Sequence, residues 1–283
     1  MNVLEIACLA VVVLWAALRV RREPDVRGLA TRALVIATSA FLAEDTCIHL
    51  YGFYFYARDR WTIFVDQVPL LVLIIWPIVI LASIDLLKTA QTATARWPFL
   101  LFALVVADAW FIEPAAVDAG LWTWTSPGPF SVPIIGVLGW GFFAAGLGIV
   151  IGRGWPIAVA LVVAPVVCHA LLLVTWWGAL RWIPSPPSWA MVPVAWAASI
   201  AVVVSVWRAR PRGQRRGVML RGPAALFFFG LLALYGDISD VDDPALWAWC
   251  AAFSPPWLAL IVWSRPVLPG GPSDPPDIGT LVQ

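Results

Sequence analysis

The sequence predicts an all-α polytopic membrane protein of about nine transmembrane helices (eight is the alternative count), with its N-terminus outside. Three observations carry that prediction. Hydrophobic residues make up 61% of the 283-residue chain and charged ones only 12%, too little polar surface for a soluble protein of this length. Apolar runs recur at about the 20 residues that a helix needs to cross the hydrocarbon core. The basic residues then sort to one side when the runs are threaded in order.

The first run, MNVLEIACLAVVVLWAAL, lacks a basic leader and is followed by RVRR, which fits an uncleaved first helix. The spans fall near 2–18, 28–50, 66–87, 97–114, 133–151, 155–177, 189–207, 222–236 and 245–263. With the N-terminus outside, fifteen of the 18 basic residues, among them Lys88, Arg153 and the run from Arg208 to Arg221, lie on the inner loops and helix ends. Arg58, Arg60 and Arg181 are the three on the outer side. Residues 1–264 form one helical domain, and the Pro/Gly-rich stretch 265–283 reads as a disordered tail. Cys8, Cys47, Cys168 and Cys250 all sit in apolar runs and read as buried thiols. A net charge of +1 argues against nucleic acid as a partner.

The acids gather opposite the arginines. Glu44, Asp45, Asp59, Asp66, Asp108, Glu113, Asp118 and the string Asp237, Asp240, Asp242 and Asp243 map to the outer half, as do His49 and His169. Asp108 stands about eleven residues into its helix, roughly 16 Å at the helical rise, a depth where polar groups face a bundle interior or a cavity.

An internal repeat organises this half. Tyr54 and Tyr56 follow Asp45 at nine and eleven residues; Trp122 and Trp124 follow Glu113 at the same spacings. A loop and Val-Pro come next in each copy (Val68-Pro69, Val132-Pro133), with Trp76 and Trp140 seven residues beyond the proline. The copies, near 28–87 and 97–151, describe two parallel helical hairpins, an arrangement that places sites between repeats. A weaker third copy runs from His169 through Trp176 and Trp177 to Val192-Pro193 and Trp196. Taken singly, each Val-Pro is an ordinary helix start and each Tyr or Trp an interfacial anchor.

Carboxyls beside electron-rich rings suit proton-initiated alkene chemistry. An acid kept protonated by a low dielectric can donate its proton, and aromatic faces stabilise the resulting cation. Water capture gives a hydratase; loss of a different proton gives an isomerase or cyclase. No Ser-His-Asp spacing, phosphate loop or metal-type His/Cys set accompanies these residues.

On these residues the chain resembles the membrane-bound carotenoid biosynthesis proteins that include the carotenoid 1,2-hydratases, or bisanhydrobacterioruberin hydratases. The likeness spans roughly residues 40–145: Glu44 or Asp45, Gly52, Tyr54, Tyr56, Val68-Pro69 and Trp76, then Asp108, Glu113-Pro114, Trp122, Trp124, Val132-Pro133 and Gly139-Trp140. Ser131 stands where that family has Gly, and Gly136 where Asn is usual. The resemblance implies addition of water to the terminal C1–C2 double bond of an acyclic carotenoid end group, without cofactor or metal. Its partners would be a carotenoid or other polyisoprenoid, the lipid of a bacterial cytoplasmic (inner) membrane and neighbouring carotenoid enzymes.

Proton donation then falls to Asp108 or Glu113, with Asp45 or Glu44 orienting water or acting as base. Tyr54, Tyr56, Trp122 and Trp124 line the cation and polyene; Trp76, Trp140, His49 and His169 complete the substrate-binding set, although His169 reads more readily as a satisfied core histidine. Two rivals stand beside this reading. The Asp-rich string 237–243 suits an intramembrane prenyltransferase, although a second acidic motif is lacking and a solvated outer loop explains it better. A lipid or isoprenoid transporter would use Asp108 and His169 to carry protons or bind its cargo.

Overall fold

The computed structural model describes residues 2–21, 23–235 and 244–265. Its helices are α1 (Val3–Val20), α2 (Val26–Tyr51), α3 (Leu70–Thr89), α4 (Trp97–Asp118), α5 (Ile134–Gly152), α6 (Ala160–Gly178), α7 (Ser188–Ala209), α8 (Gln214–Tyr235), α9 (Pro244–Ala251) and α10 (Ser254–Trp263). Among the described residues nine helical segments are long and apolar enough to cross a membrane, the ninth being α9 and α10 together. Pro255 and Pro256 open α10, and a proline at a helix start removes a donor the preceding turn would need. The Asp-rich string 237–243 and the tail 266–283 lie outside the described residues.

Four boundaries differ from expectation by four residues or more: α4 runs on to Asp118 rather than 114, α6 starts at Ala160 rather than near 155, and two others change the reading. The third helix starts at Leu70 rather than near 66, because 64–69 fold into a hairpin of β2 (Phe64–Val65) and β3 (Val68–Pro69). Helix α8 starts at Gln214 rather than near 222, so Arg221 is not a loop residue but stands inside the helix. The third repeat copy does not match the other two, since Pro193 lies within α7 and starts no helix there. Pro69 and Pro133, by contrast, are the N-cap residues of α3 and α5.

The two full copies meet through their aromatic pairs. Strand β1 (Tyr54–Tyr56) pairs antiparallel with β4 (Trp122–Trp124), Tyr54 opposite Trp124 and Tyr56 opposite Trp122. That register is what a two-fold axis through the Phe55–Thr123 pair would produce. Each strand leaves its helix through a left-handed glycine, Gly52 (φ 58°) after α2 and Gly120 (φ 69°) after α4, a conformation that costs glycine little. The same end of the bundle holds the start of α1. Glu5 accepts hydrogen bonds from the Thr62 N–H (2.6 Å) and hydroxyl (2.5 Å), tying α1 to the loop after β1.

Pro114 explains a further join. A proline inside a helix lacks the N–H that would bond the carbonyl four residues back. That carbonyl, on Trp110, accepts instead from Trp249 Nε1 at 2.7 Å, which fastens α9 to α4. Helices α5 and α6 form an antiparallel pair that packs closely at Gly146, where an added Cβ would lie 2.6 Å from Ala164 Cα.

Candidate functional site

Below the β1–β4 cap lies a cavity with about 590 Å³ of empty space, counting its open mouth. Helix α2 contributes Ala40, Ala43, Glu44 and Cys47, which share one helical face by their i, i+3, i+4, i+7 spacing. The caps supply Phe53, Tyr54, Tyr56, Trp122 and Trp124; Trp76, Glu113 and Trp140 come from α3, α4 and α5.

Glu113 is 2% exposed. Its Oε2 accepts from Trp122 Nε1 at 2.8 Å and Trp124 Nε1 at 2.9 Å, and its Oε1 from Trp140 Nε1 at 2.7 Å. Glu44, 9% exposed, accepts from Trp76 Nε1 on Oε1 and from the Tyr56 hydroxyl on Oε2 at 2.5 Å. Each copy of the repeat thus holds its own buried carboxyl with its own aromatic side chains. Across the axis the rings touch: Tyr54 meets Trp124 with centroids 4.8 Å apart, and Tyr56 meets Trp122 at 5.7 Å. Burial, and after it the charge of Glu44, hold both phenols well above the usual tyrosine range. The Tyr56 hydroxyl is therefore a neutral partner to Glu44 at any working pH.

The donors differ in kind. An indole N–H can only donate, whereas a phenol hydroxyl donates or accepts. Glu113 is surrounded by donors alone; Glu44 has one partner that can turn round. Gly136 makes room for this arrangement, since a Cβ there would lie 2.5 Å from the Trp124 ring. The place that a side chain at 136 would fill is occupied by that indole.

Compared with protein-family models, curated proteins and solved structures, the chain matches none.

The structure brings Glu44, Glu113, Tyr54, Tyr56, Trp76, Trp122, Trp124 and Trp140 to one cavity and sets four expected residues apart. Asp108 does not line it; its carboxylate is engaged by the Arg221 guanidinium, which also stacks over Trp257 at 4.7 Å. Asp45 is turned one helical step, about 100°, from Glu44 and accepts from the Gln67 N–H at 3.2 Å. His49 lies outside at the β2–β3 turn, 2.8 Å from Asp66. With Asp45 these two place their ligand atoms within 4.8 Å of one another, the arrangement here that could hold a cation, but their own hydrogen bonds already satisfy it. His169 packs edge-on against Tyr51, centroids 5.5 Å apart, and does not line the cavity.

Cys47 and Cys168 line the cavity too, and no role was expected of them beyond burial. Their signal was faint: the face 40, 43, 44, 47 combines small residues with a carboxylate, which is unusual on a lipid-facing helix.

Proposed function

We propose that this protein is a cofactor-independent enzyme of isoprenoid metabolism that adds water to the terminal C1–C2 double bond of an acyclic carotenoid end group. One observation carries the reading. Two buried carboxyls, Glu44 and Glu113, come from corresponding corners of an internal repeat and line one cavity walled by aromatic rings.

The reaction needs a proton delivered to C2, a tertiary cation at C1, water added to that carbon, and a proton removed from the added water. Glu44 is the proton donor, because its Tyr56 partner can reverse its hydrogen bond as the proton leaves. Glu113, held by three donor-only indoles, suits the carboxylate that steadies the cation and takes the proton from water. The ring faces of Tyr54, Trp76, Trp122 and Trp124 supply the cation–π surroundings. These roles reverse the order expected from sequence and leave out Asp108 and Asp45, which do not line the cavity.

The room inside is small, about 60 Å³ open to the centre of a water-sized sphere, which suits an end group and not a whole polyene. The test is expression in cells that make lycopene or γ-carotene, followed by mass spectrometry of the pigments. Gain of one water, lost in Glu44→Gln and Glu113→Gln, is the expected result. An isomer of unchanged mass would point to isomerase or cyclase chemistry, and altered distribution of unchanged pigment to a transporter.

A further inference from the structure

The cavity holds two acids and no base. Among the described residues that line it none is Lys, Arg or His, while Glu44 and Glu113 are both buried in its wall. The arginines of the loops at this end are engaged elsewhere: Arg58 over the Phe64 ring at 4.2 Å, Arg60 beside Asp59 at 3.9 Å and Arg181 over Trp177 at 4.0 Å. Arg221, in the bundle interior, belongs to Asp108. A buried carboxylate is ordinarily paired with a cation, whose attraction offsets the loss of water. Glu113 has three neutral donors instead, the indoles of Trp122, Trp124 and Trp140. They suit a carboxylate, which only accepts, but leave its charge unmatched.

The surroundings fit one kind of cation. A metal ion needs several oxygens free to coordinate it, and all four carboxyl oxygens already accept from Trp or Tyr side chains. An alkylammonium head has no such need. Its charge is spread over hydrogens that lie against ring faces, where the aromatic quadrupole attracts it. Tyr54, Tyr56, Trp76, Trp122, Trp124 and Trp140 provide the rings, and Ala40, Ala43 and Ile135 an apolar wall for the alkyl part.

We propose that the cavity is a binding site for lipophilic ammonium ions, held with the nitrogen among the aromatic rings and Glu113 as the countercharge. The site is the one assigned above to hydration. A dimethylammonium head matches the branched end group in size, and its nitrogen stands where the C1 cation would form, so it competes with the substrate. Binding itself requires no turnover.

The test titrates purified protein in phosphatidylcholine nanodiscs with N,N-dimethylhexylamine, which is protonated at neutral pH, and with its uncharged carbon counterpart, 2-methyloctane. Affinities come from the concentration dependence of the thermal unfolding midpoint, each protein being referred to its own unliganded value. Wild type and Glu113→Asp should bind the amine at least about tenfold more tightly than the hydrocarbon, the weight of a desolvated cation–π contact. Glu113→Gln should lose that preference, and Asp66→Asn, which removes an exposed carboxyl outside the cavity, should keep it. If Glu113→Gln does not fold, the two ligands on wild type and Asp66→Asn still decide. Equal affinity for amine and hydrocarbon would overturn the proposal. So would a preference that survives Glu113→Gln or vanishes in Asp66→Asn, since either puts the ion on the outer surface. Ammonium preference in a protein that adds water to no carotenoid would remove the hydratase reading and leave this site standing; water addition with equal affinities would do the reverse.

Discussion

The indoles of Trp76 and Trp140 lie against each other, centroids 4.5 Å apart and planes at 36°, while each donates its N–H to a different glutamate, Trp76 to Glu44 and Trp140 to Glu113. The two carboxyls are thus joined through a pair of stacked rings. Such a pair is worth about 0.5–1.5 kcal/mol beyond its buried area, and it fixes both acids against the same wall.

Glu113→Gln tests that arrangement for stability as well as for turnover. A glutamine offers one acceptor oxygen to three indole donors, so at least one buried N–H loses its partner, at about 1–3 kcal/mol. Lowered thermal stability in detergent, together with loss of water addition, is expected. Glu113→Asp should retain more of the stability than of the activity, because the shorter carboxylate still accepts but no longer reaches the same place.

Gly136→Ala should displace the Trp124 ring, which lies 2.5 Å from where the new methyl would be. Overpacking of this kind costs about 1–3 kcal/mol. Combining it with Trp124→Phe should recover stability. A thermal-shift cycle over the four proteins reads the coupling, and additive losses would show that the two do not compete for space.

Asp108 is paired with Arg221 away from the cavity. Removing it leaves Arg221 in an interior 13% exposed without its carboxylate, a loss of about 3–5 kcal/mol. Asp108→Leu with Arg221→Met should restore folding and keep pigment conversion, since neither residue lines the cavity. Well-folded double variant with no conversion would return Asp108 to the chemistry.

The hydrogen bond from His49 holds the Asp66 carboxyl below the ordinary carboxylate range. A depressed value means the contact stabilises the folded state above the unfolded value, about pH 3.9, and is lost as pH falls through the folded one. A carbon-13 titration of Asp66 in micelles should show a midpoint below that of His49→Ala.

Much of this was legible in the chain. The Val-Pro starts of α3 and α5, the matched Tyr-x-Tyr and Trp-x-Trp and the paired Trp76 and Trp140 all follow from spacing, and the strand register joins them as a two-fold repeat would. Counting back from the glycines pairs Asp45 with Glu113, yet Glu44 is the residue that faces the cavity. The helix ends explain the slip: the Gly52 N–H bonds Ile48, four residues back, whereas the Gly120 N–H bonds Val117 and the Leu121 N–H bonds Ala116. The last turns wind differently, so equal counts do not give equal rotation. Arg221 was hidden for another reason. It ends an arginine-rich run that reads as a loop, and its partner Asp108 is 113 residues away.

The two-fold relation of the corners has a stereochemical consequence. Glu44 and Glu113 belong to opposite sides of the axis that passes between β1 and β4. An alkene held between them is approached by the donor from one π face and by the carboxylate-held water from the other. If the proposed hydration takes place there, it should be an anti addition: in heavy water, a substrate with one C1 methyl isotopically labelled should give a single relative configuration at C1 and the deuterated C2.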